Sequence, residues 1–442
     1  MEDAMQKIIS LAKRRGFVFP SSEIYGGVES LYDYGPLGAL LKSNIKQEWI
    51  RTFVQQMENV ELLESSVLMH PKTWEASEHV KNFTDPLVDC KKCKGRFRAD
   101  LLVSKQCPEC GGKEFTAAKN FNLMFKTFLG PVEDEAHQTY LRPETAQGMF
   151  VDFKLVQETM RQKLPFGIAQ IGKSFRNEIT TGNFIFRTRE FEIAEIEFFV
   201  KPGEDDKWFD YWVEQWEQFF IFLGLKKENL RRQEQSKDSL AHYSKRTVDI
   251  EYRFPFGWGE LAGIANRTDF DLSQHAKVSG QDLKYQDTET KEKYYPFVIE
   301  PTLGVDRLLL ALFADAYEEV KGARTTTTQA VKEVETVLKL KPSLAPFQVA
   351  VLPLVKNKEE LTKKAREAFD MLKAHFSCQY DEAGAIGRRY RRQDEIGTPY
   401  CITVDFDSFK KNDVTLRDRD TMEQERVSLS KLVTTIKEKL NG

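Results

Sequence analysis

The stretch FRNEITTGNFIFRTREF, Phe175 to Phe191, reads as two strand-like segments joined by a Thr-Gly-Asn turn. It places Arg176 and Glu178 at the end of the first segment and Arg187 and Phe191 on the second. Two guanidinium groups can hold phosphate, a carboxylate can accept from an amino group, and a ring can stack on a flat base. The hairpin therefore predicts a nucleotide site without a glycine-rich loop, although a charged hairpin with cross-strand Arg–Glu pairs has the same composition.

A second stretch, EPTLGVDRLLLALF from Glu300 to Phe313, predicts a strand that runs into an apolar helix. Gly304 lets the backbone approach a ligand, and Arg307 projects from the first helical turn. Either stretch alone is common in proteins. Together, and in this order, they resemble motifs 2 and 3 of the class II aminoacyl-tRNA synthetases.

The composition excludes several classes of protein. The chain has 442 residues, 41% of them hydrophobic and 30% charged, which is typical of a globular protein with two or three domains. The net charge of -3 argues against non-specific coating of nucleic acid, so a nucleic-acid partner would be held by local patches. The first 17 residues form a charged amphipathic pattern without a signal-peptide core, and the chain has no apolar run of 18 residues. We expect a cytoplasmic protein.

Strand and helix patterns do not alternate regularly before residue 320, which favours an antiparallel sheet with packed helices over a doubly wound fold. The segment VELLESSVLMHPKTW predicts a strand that stops at Pro71, and a helix is predicted from Asp205 to Leu223. A polar segment over 323–346 predicts a helical linker, after which about 100 residues show the βαβ pattern of a small α/β domain.

Cysteine spacing points to a metal. Cys90, Cys93, Cys107 and Cys110 form C-x2-C-x13-C-x2-C, the spacing of a zinc ribbon with four thiolate ligands. The alternative is a degenerate knuckle that folds without metal. Six cysteines in a chain of this length are too sparse for a disulfide framework.

Longer segments carry a more specific resemblance. The stretches YDYGPLG, LRPETAQG, FRTREFEIAEIEFF, GWGELAGIANRTDFDLSQH and EPTLGVDR are similar to those of the dimeric glycyl-tRNA synthetases, and the similarity runs from about Arg15 to the end. It implies an α+β class II catalytic domain over 1–340, with a zinc-ribbon-like insertion at about 88–113. It also implies an α/β anticodon-binding domain over 346–442.

The resemblance implies roles for individual residues. Arg176 and Arg307 are the implied catalytic residues, with Arg187 at the γ-phosphate and the adenine between Phe191 and Arg307. The implied ATP-binding residues are Arg176, Asn177, Glu178, Phe186, Arg187, Thr188, Arg189, Glu190, Phe191, Glu260, Leu261, Gly304, Val305, Asp306 and Arg307. The implied glycine-binding residues are Arg98, Glu144, Phe191, Glu192, Ile193, Ala194, Glu195, Glu300, Pro301, Thr302, Leu303 and Gly304.

Glycine has only an ammonium and a carboxylate group by which a protein can bind it, and the ammonium needs acidic partners. The resemblance supplies Glu144, Glu195 and Glu300. The implied reaction uses ATP with Mg²⁺ and forms glycyl-adenylate before transfer to tRNA(Gly), and it needs no enzyme nucleophile. Thr302 stands where the family commonly has Ser, and we expect its methyl group to tighten rejection of alanine. Glu78 stands where the family often has Gly.

The implied partners are tRNA(Gly) and a second copy of the chain, with motif 1 ending at VLMHPKTW; neither a membrane nor DNA is expected. In the C-terminal domain, RRYRRQ from Arg388 to Gln393 is a candidate basic patch for the anticodon, or a solvated charged turn. Arg98 lies within the cysteine segment, so the knuckle is expected to brace an active-site wall. Two alternatives remain: a synthetase for proline, threonine or histidine, and a catalytically silent relative that binds nucleic acid.

Overall fold

The structure is a computed structural model, and it describes residues 2–102, 106–179, 182–321 and 334–441. Its helices are α1 Glu2–Arg15, α2 Pro36–Ile50, α3 Pro71–Ala76, α4 His79–Asn82, α5 Ala146–Val151, α6 Phe153–Thr159, α7 Asp205–Leu223, α8 Phe270–Ser279, α9 Val305–Ala316, α10 Glu359–Leu372, α11 Ile386–Ile396, α12 Asp407–Lys411 and α13 Leu432–Asn441. Its strands are β1 Val18–Pro20, β2 Tyr32–Tyr34, β3 Val60–Leu62, β4 Thr84–Asp89, β5 Arg96–Arg98, β6 Lys119–Asn122, β7 Lys126–Phe128, β8 Gln138–Tyr140, β9 Phe166–Phe175, β10 Glu190–Val200, β11 Leu230–Glu234, β12 Arg246–Phe254, β13 Gly257–Thr268, β14 Tyr285–Gln286, β15 Lys293–Tyr294, β16 Phe297–Gly304, β17 Tyr317–Lys321, β18 Val334–Leu338, β19 Val349–Pro353, β20 Cys378–Tyr380, β21 Tyr400–Val404, β22 Asp413–Asp418 and β23 Gln424–Ser428.

A seven-stranded sheet in the order β11-β12-β13-β16-β10-β9-β3 is the centre of the larger domain. Its neighbouring strands are antiparallel except for the parallel pair of β3 and β9. The predicted antiparallel sheet is therefore confirmed. Its irregular strand order explains why strands and helices do not alternate along the chain.

Strand β10 shows how this sheet separates the core from the site. Ala194, Ile196 and Phe198 alternate on one face and join the core that α7 and α9 cover, with Trp212 and Trp216 of α7 fully buried there. Burying one such aromatic side chain contributes roughly 2–3 kcal/mol. The residues between them turn to the opposite face, where the candidate site lies.

The C-terminal residues form a separate five-stranded sheet in the order β20-β19-β21-β22-β23, and its first three strands are parallel. Helices α10 and α13 supply Leu361, Leu372 and Ile436 to its core. This is the small α/β domain that the sequence predicts.

Two local predictions are wrong. Residues 334–338 were expected in a helical linker, but they form β18, which pairs with β17 because Val337 and Leu338 can be buried there; the expected linker residues 323–333 lie outside the described residues. The strand predicted to end at Pro71 is only Val60–Leu62, and Pro71 instead begins α3, where its missing N–H costs nothing.

Glu78 has a φ of 61° at the start of α4, which is the left-handed region that favours glycine. The backbone conformation thus accounts for the glycine that the family often has here. Among the residues described, no helix has the length and the apolar character needed to cross a membrane.

Candidate active site

A cavity of about 250 Å³ opens on the polar face of the large sheet. The hairpin of β9 and β10, the strands β13 and β16 and the start of α9 all contribute to its walls. The residues suggested by the sequence that line it are Glu144, Arg176, Glu178, Phe186, Arg187, Thr188, Phe191, Ile193, Glu195, Glu260, Leu261, Glu300, Thr302, Leu303, Gly304, Asp306 and Arg307.

The structure places the remaining suggested residues outside this lining: Arg98, Asn177, Arg189, Glu190, Glu192, Ala194, Pro301 and Val305. Glu192 points to α2, where Lys42 and Lys46 neutralise it. Val305 is buried in the core. Arg98 pairs with Asp85 at 3.1 Å and with Asp100 at 2.7 Å. Arg98, Glu192 and Val305 are therefore engaged elsewhere in the protein and do not line the cavity.

One end of the cavity is basic. The Arg176 guanidinium lies 5.3 Å from the centre of the Phe191 ring and donates from Nε to the carbonyl of Pro143 at 3.0 Å. Arg307 lies over Phe186 rather than Phe191, with 4.5 Å between guanidinium and ring centre, and pairs with Glu260 at 3.2 Å. These guanidinium groups are held in place by rings and backbone, so they are positioned before any phosphate arrives.

Glu178 lies beside this basic end with one carboxylate oxygen, Oε2, buried and without a hydrogen-bond partner among the described residues. A buried acceptor without a donor is costly in the isolated protein. An amino group on a flat ring stacked in the cavity would supply that donor.

The other end of the cavity is acidic. Glu144, Glu195 and Glu300 are each less than a tenth exposed and come from three different elements of the chain. Glu195 accepts from the backbone and hydroxyl of Thr145 and, at 3.1 Å, from the hydroxyl of Thr302. Three buried carboxylates in one small volume favour a cationic ligand.

Two side chains, Arg267 and His79, lie behind this end and keep the acids in place. Arg267 is fully buried and holds both oxygens of Glu300 at 3.0 Å, while His79 lies 3.2 Å from Glu144. Burial raises the pKa of Glu144, but His79, Arg267 and the Gln147 amide together hold it below the ordinary value. Burial raises the pKa of Glu300 to about 8, with Arg267 opposing the shift and the other two glutamates adding to it.

Several residues of the site had no place in the sequence prediction. Ile185, Tyr243, Ala262 and Gly263 line the cavity, and Arg267 supports it. Arg267 near the end of β13 pairs with Asp271 in the first turn of α8, and no helical periodicity in the sequence indicates that pair. Tyr243 lies on an irregular segment, and no periodicity in the sequence indicates it.

Asp306 lines the cavity but is already engaged by the protein. It accepts from the Tyr34 hydroxyl, from Lys42 at 2.6 Å and from the backbone N–H of Glu192 at 2.7 Å. These contacts tie the start of α9 to α2 and β10. They fix the direction in which Arg307 leaves the helix.

The four clustered cysteines meet at one point. Their sulfur atoms all lie within 4.8 Å of one another, with Cys90 and Cys110 at 3.6 Å and Cys93 and Cys107 at 3.5 Å. Sulfur atoms around a tetrahedral zinc ion are expected about 3.8 Å apart, so the geometry is compatible with zinc. The sheet of β4, β5 and β6 carries the cluster, and the carbonyl of Leu123 just after β6 accepts from the backbone N–H of Asn177 at 2.7 Å.

Most of the basic run in the C-terminal domain is buried or half-buried and bonded within the domain, which argues against its interpretation as an RNA-binding patch. Arg389 is 1% exposed and donates to the carbonyls of Pro353 and Leu354. Arg392 pairs with Asp381. Arg388 alone among the four arginines of this run is exposed, because the run forms α11 and most of that helix packs into the domain.

Comparison with known proteins agrees with this geometry. Residues 125–316 match the family model described as tRNA synthetase class II core domain (G, H, P, S and T), and residues 348–439 match that of the anticodon binding domain. A prolyl-tRNA synthetase from Cryptosporidium parvum, solved with L-proline and AMP, has the same fold with a TM-score of 0.65 at 16% identity, covering 98% of this chain and 77% of that one.

Other proteins are much more similar to this chain in sequence. The glycine–tRNA ligase of Alkaliphilus oremlandii is 54% identical, with 99% of each chain covered. That of Geobacillus thermodenitrificans is 53% identical, with 100% of this chain and 98% of the relative covered. At this identity over the whole length, the chain belongs to the glycine–tRNA ligase family of class II tRNA synthetases.

Proposed function

We propose that this chain activates glycine with ATP and transfers it to the 3′ end of tRNA(Gly). The observation that carries the proposal is one cavity with a guanidinium end and a carboxylate end, lined by Arg176 and Arg307 on one side and by Glu195 and Glu300 on the other. ATP and the glycine carboxylate suit the first end, and the glycine ammonium suits the second. A full-length family relationship to glycine–tRNA ligases supports this choice of substrate.

In the first step, a glycine carboxylate oxygen bonds to the α-phosphorus and the bond to pyrophosphate breaks. To Arg176 we assign the role of offsetting charge on that phosphorus, and to Arg187 that of holding the γ-phosphate, since both line the cavity. Glu260, exposed beside Arg307, is the residue we assign to Mg²⁺, which would neutralise phosphate charge. The orphaned oxygen of Glu178 accepts from the adenine amino group.

In the second step, a hydroxyl oxygen of the terminal adenosine bonds to the glycyl carbonyl carbon. The bond from that carbon to the phosphate oxygen breaks, AMP leaves and the hydroxyl proton is released. The chain has no need of a nucleophile of its own, since both steps depend on position and charge. Mutation of Arg176 should therefore lower the rate far more than the stability.

Three further assignments belong to this proposal. The catalytic domain spans 1–340 with its insertion at about 88–113, and the anticodon-binding domain spans 346–442. The four cysteines hold a structural zinc ion. The chain works in the cytoplasm as a homodimer, which the exposed apolar side chains of Leu62, Leu155 and Met160 near the edge strand β3 support. Sedimentation at assay concentration tests the dimer.

The test of function is exchange of labelled pyrophosphate into ATP with each of the twenty amino acids. Glycine should stimulate exchange and the others should not. The variant Arg176→Gln should lose exchange while Arg232→Gln, an exposed arginine on β11, keeps it. Exchange with proline or threonine instead of glycine would overturn the substrate, and exchange with none would favour a silent binding subunit.

A further inference from the structure

A second, smaller cavity adjoins the acidic end of the active site. It measures about 160 Å³ and shares Tyr243, Glu260, Gly263, Glu300 and Thr302 with the main cavity. We call it the side cavity. Its remaining walls are Gln235, Ala241, Thr247, Asp249 and Ala265. Polar groups therefore surround it, and neither step described so far uses Gln235 or Asp249.

Gly263 forms the passage between the two cavities. It pairs with Asp249 on β12 and with Thr302 on β16, so these two side chains leave the same face of the sheet on either side of it. A Cβ atom at Gly263 would lie 3.6 Å from Asp249 Oδ1 and 3.8 Å from Thr302 Cγ2. The missing side chain keeps the space between Asp249 and the glycine end open.

Asp249 is held as a hydrogen-bond acceptor. The Gln235 amide donates to its two oxygens at 3.1 and 2.9 Å. Burial raises the pKa of Asp249 to about 6, with the Gln235 hydrogen bonds opposing the shift and Glu260 adding to it. The carboxylate is therefore mostly ionised at neutral pH, and its remaining lone pairs can accept from a ligand.

We propose that the side cavity receives the terminal ribose of the tRNA and that Asp249 accepts a hydrogen bond from one of its vicinal hydroxyl groups. The inference rests on the proposed function. Glycyl-adenylate would fill the main cavity with its glycyl group at Glu195 and Glu300, and the side cavity meets that group at Thr302. A hydroxyl placed there is beside the carbonyl carbon that it must attack.

The shape and chemistry of the side cavity favour a ribose over the side chain of a larger amino acid. Ala241 lines the side cavity and is exposed, so the cavity borders solvent on that side. Its lining offers a carboxylate, an amide and hydroxyl groups. These groups can form hydrogen bonds with a diol, whereas an apolar side chain would leave them without partners.

The test separates the two steps. In Asp249→Asn, glycine-dependent pyrophosphate exchange should stay within about twofold, whereas single-turnover transfer from preformed glycyl-adenylate to tRNA should fall about tenfold to a hundredfold, as for a lost hydrogen bond to a charged group. Asp238→Asn, in the exposed segment between β11 and β12, should change neither rate. If glycine does not stimulate pyrophosphate exchange in the wild-type chain, the proposed function itself is refuted, and not only this inference.

Two more variants guard against a purely structural effect. Gln235→Ala removes the amide that holds Asp249 but keeps the carboxylate, so transfer should fall less than in Asp249→Asn. Gly263→Ala adds a methyl group at ordinary contact distances and should slow transfer more than exchange. The inference is overturned if Asp249→Asn lowers both rates equally, if it lowers neither, or if it instead changes exchange stimulated by alanine or serine.

Discussion

Replacing Arg267 by methionine should destabilise the catalytic domain more than any exposed arginine does. Its guanidinium is 1% exposed and donates to Asp271 at 2.7 and 2.8 Å and to Glu300 at 3.0 and 3.0 Å. The guanidinium also lies 3.8 Å from the centre of the Tyr243 ring. Removing it leaves two buried carboxylates without their cation, and breaking a buried pair in this way costs about 3–5 kcal/mol.

For a domain of this size, 1 kcal/mol corresponds to about 2 °C of melting temperature, so we expect Arg267→Met to melt roughly 6–10 °C lower at pH 8. Without the guanidinium, the folded-state pKa of Glu300 rises further above its unfolded value. This rise costs stability only where the wild-type carboxyl has begun to ionise, so the extra deficit grows as pH rises through about 8. It is small near pH 6, where Glu300 keeps its proton in both folded proteins. The deficit between variant and wild type should therefore shrink on acidification.

The assay is thermal unfolding followed by intrinsic tryptophan fluorescence between pH 6 and pH 10, a range that spans the raised pKa of Glu300. Arg232→Met is the matched control, because Arg232 pairs with two glutamates but its side chain is 44% exposed, which limits its value to about 1 kcal/mol. The reasoning is refuted if both variants lose the same number of degrees, or if the deficit of Arg267→Met does not depend on pH.

Three other predictions follow from the site. Thr302→Ser should let alanine stimulate pyrophosphate exchange measurably, since it removes the methyl group beside Gly263, and an unchanged alanine rate would contradict the steric argument. The glycine KM should fall between pH 6.5 and pH 8.5 as the raised pKa of Glu300 is passed, while Glu300→Gln should give a high and pH-independent KM at an unchanged ATP KM. Removal of zinc by chelation should slow glycine-dependent pyrophosphate exchange, because the sheet that carries the cysteines contacts Asn177 through the carbonyl of Leu123 just after β6. Full activity of the metal-free chain would rule out the bracing role.

Residues that touch a ligand were accessible to sequence reasoning, since their chemistry follows from what the ligand is. Arg176, Glu178 and Arg307, which the sequence suggested for phosphate and adenine, all line the cavity. Residues that support the predicted ligand-binding groups could not be predicted from the sequence. His79 and Thr145 reach the acidic end only because distant segments fold together, and no spacing in the chain encodes that.

The fold shows the same division. The hairpin of β9 and β10 was predicted because its two strand-like segments are adjacent in sequence and joined by a Thr-Gly-Asn turn. Strand β18 was missed because its polar, threonine-rich surroundings favour no sheet, and its burial comes from contact with another part of the chain. The local sequence pattern predicts whether a segment is a strand or a helix only where the segments it packs against are also close to it in sequence.

The buried arginine Arg389 shows why composition alone misplaces a binding surface. Its helix α11 starts just after β20, so Arg389 can donate to the carbonyls at the end of β19 and join two neighbouring strands. An arginine that satisfies buried carbonyls cannot also reach a phosphate. The exposed rings of Phe406 and Phe409 follow β21 at the same edge, beside Lys410 and Lys411. Contact with single-stranded bases in this domain therefore calls for side chains that the helix leaves free, and a count of arginines does not identify them.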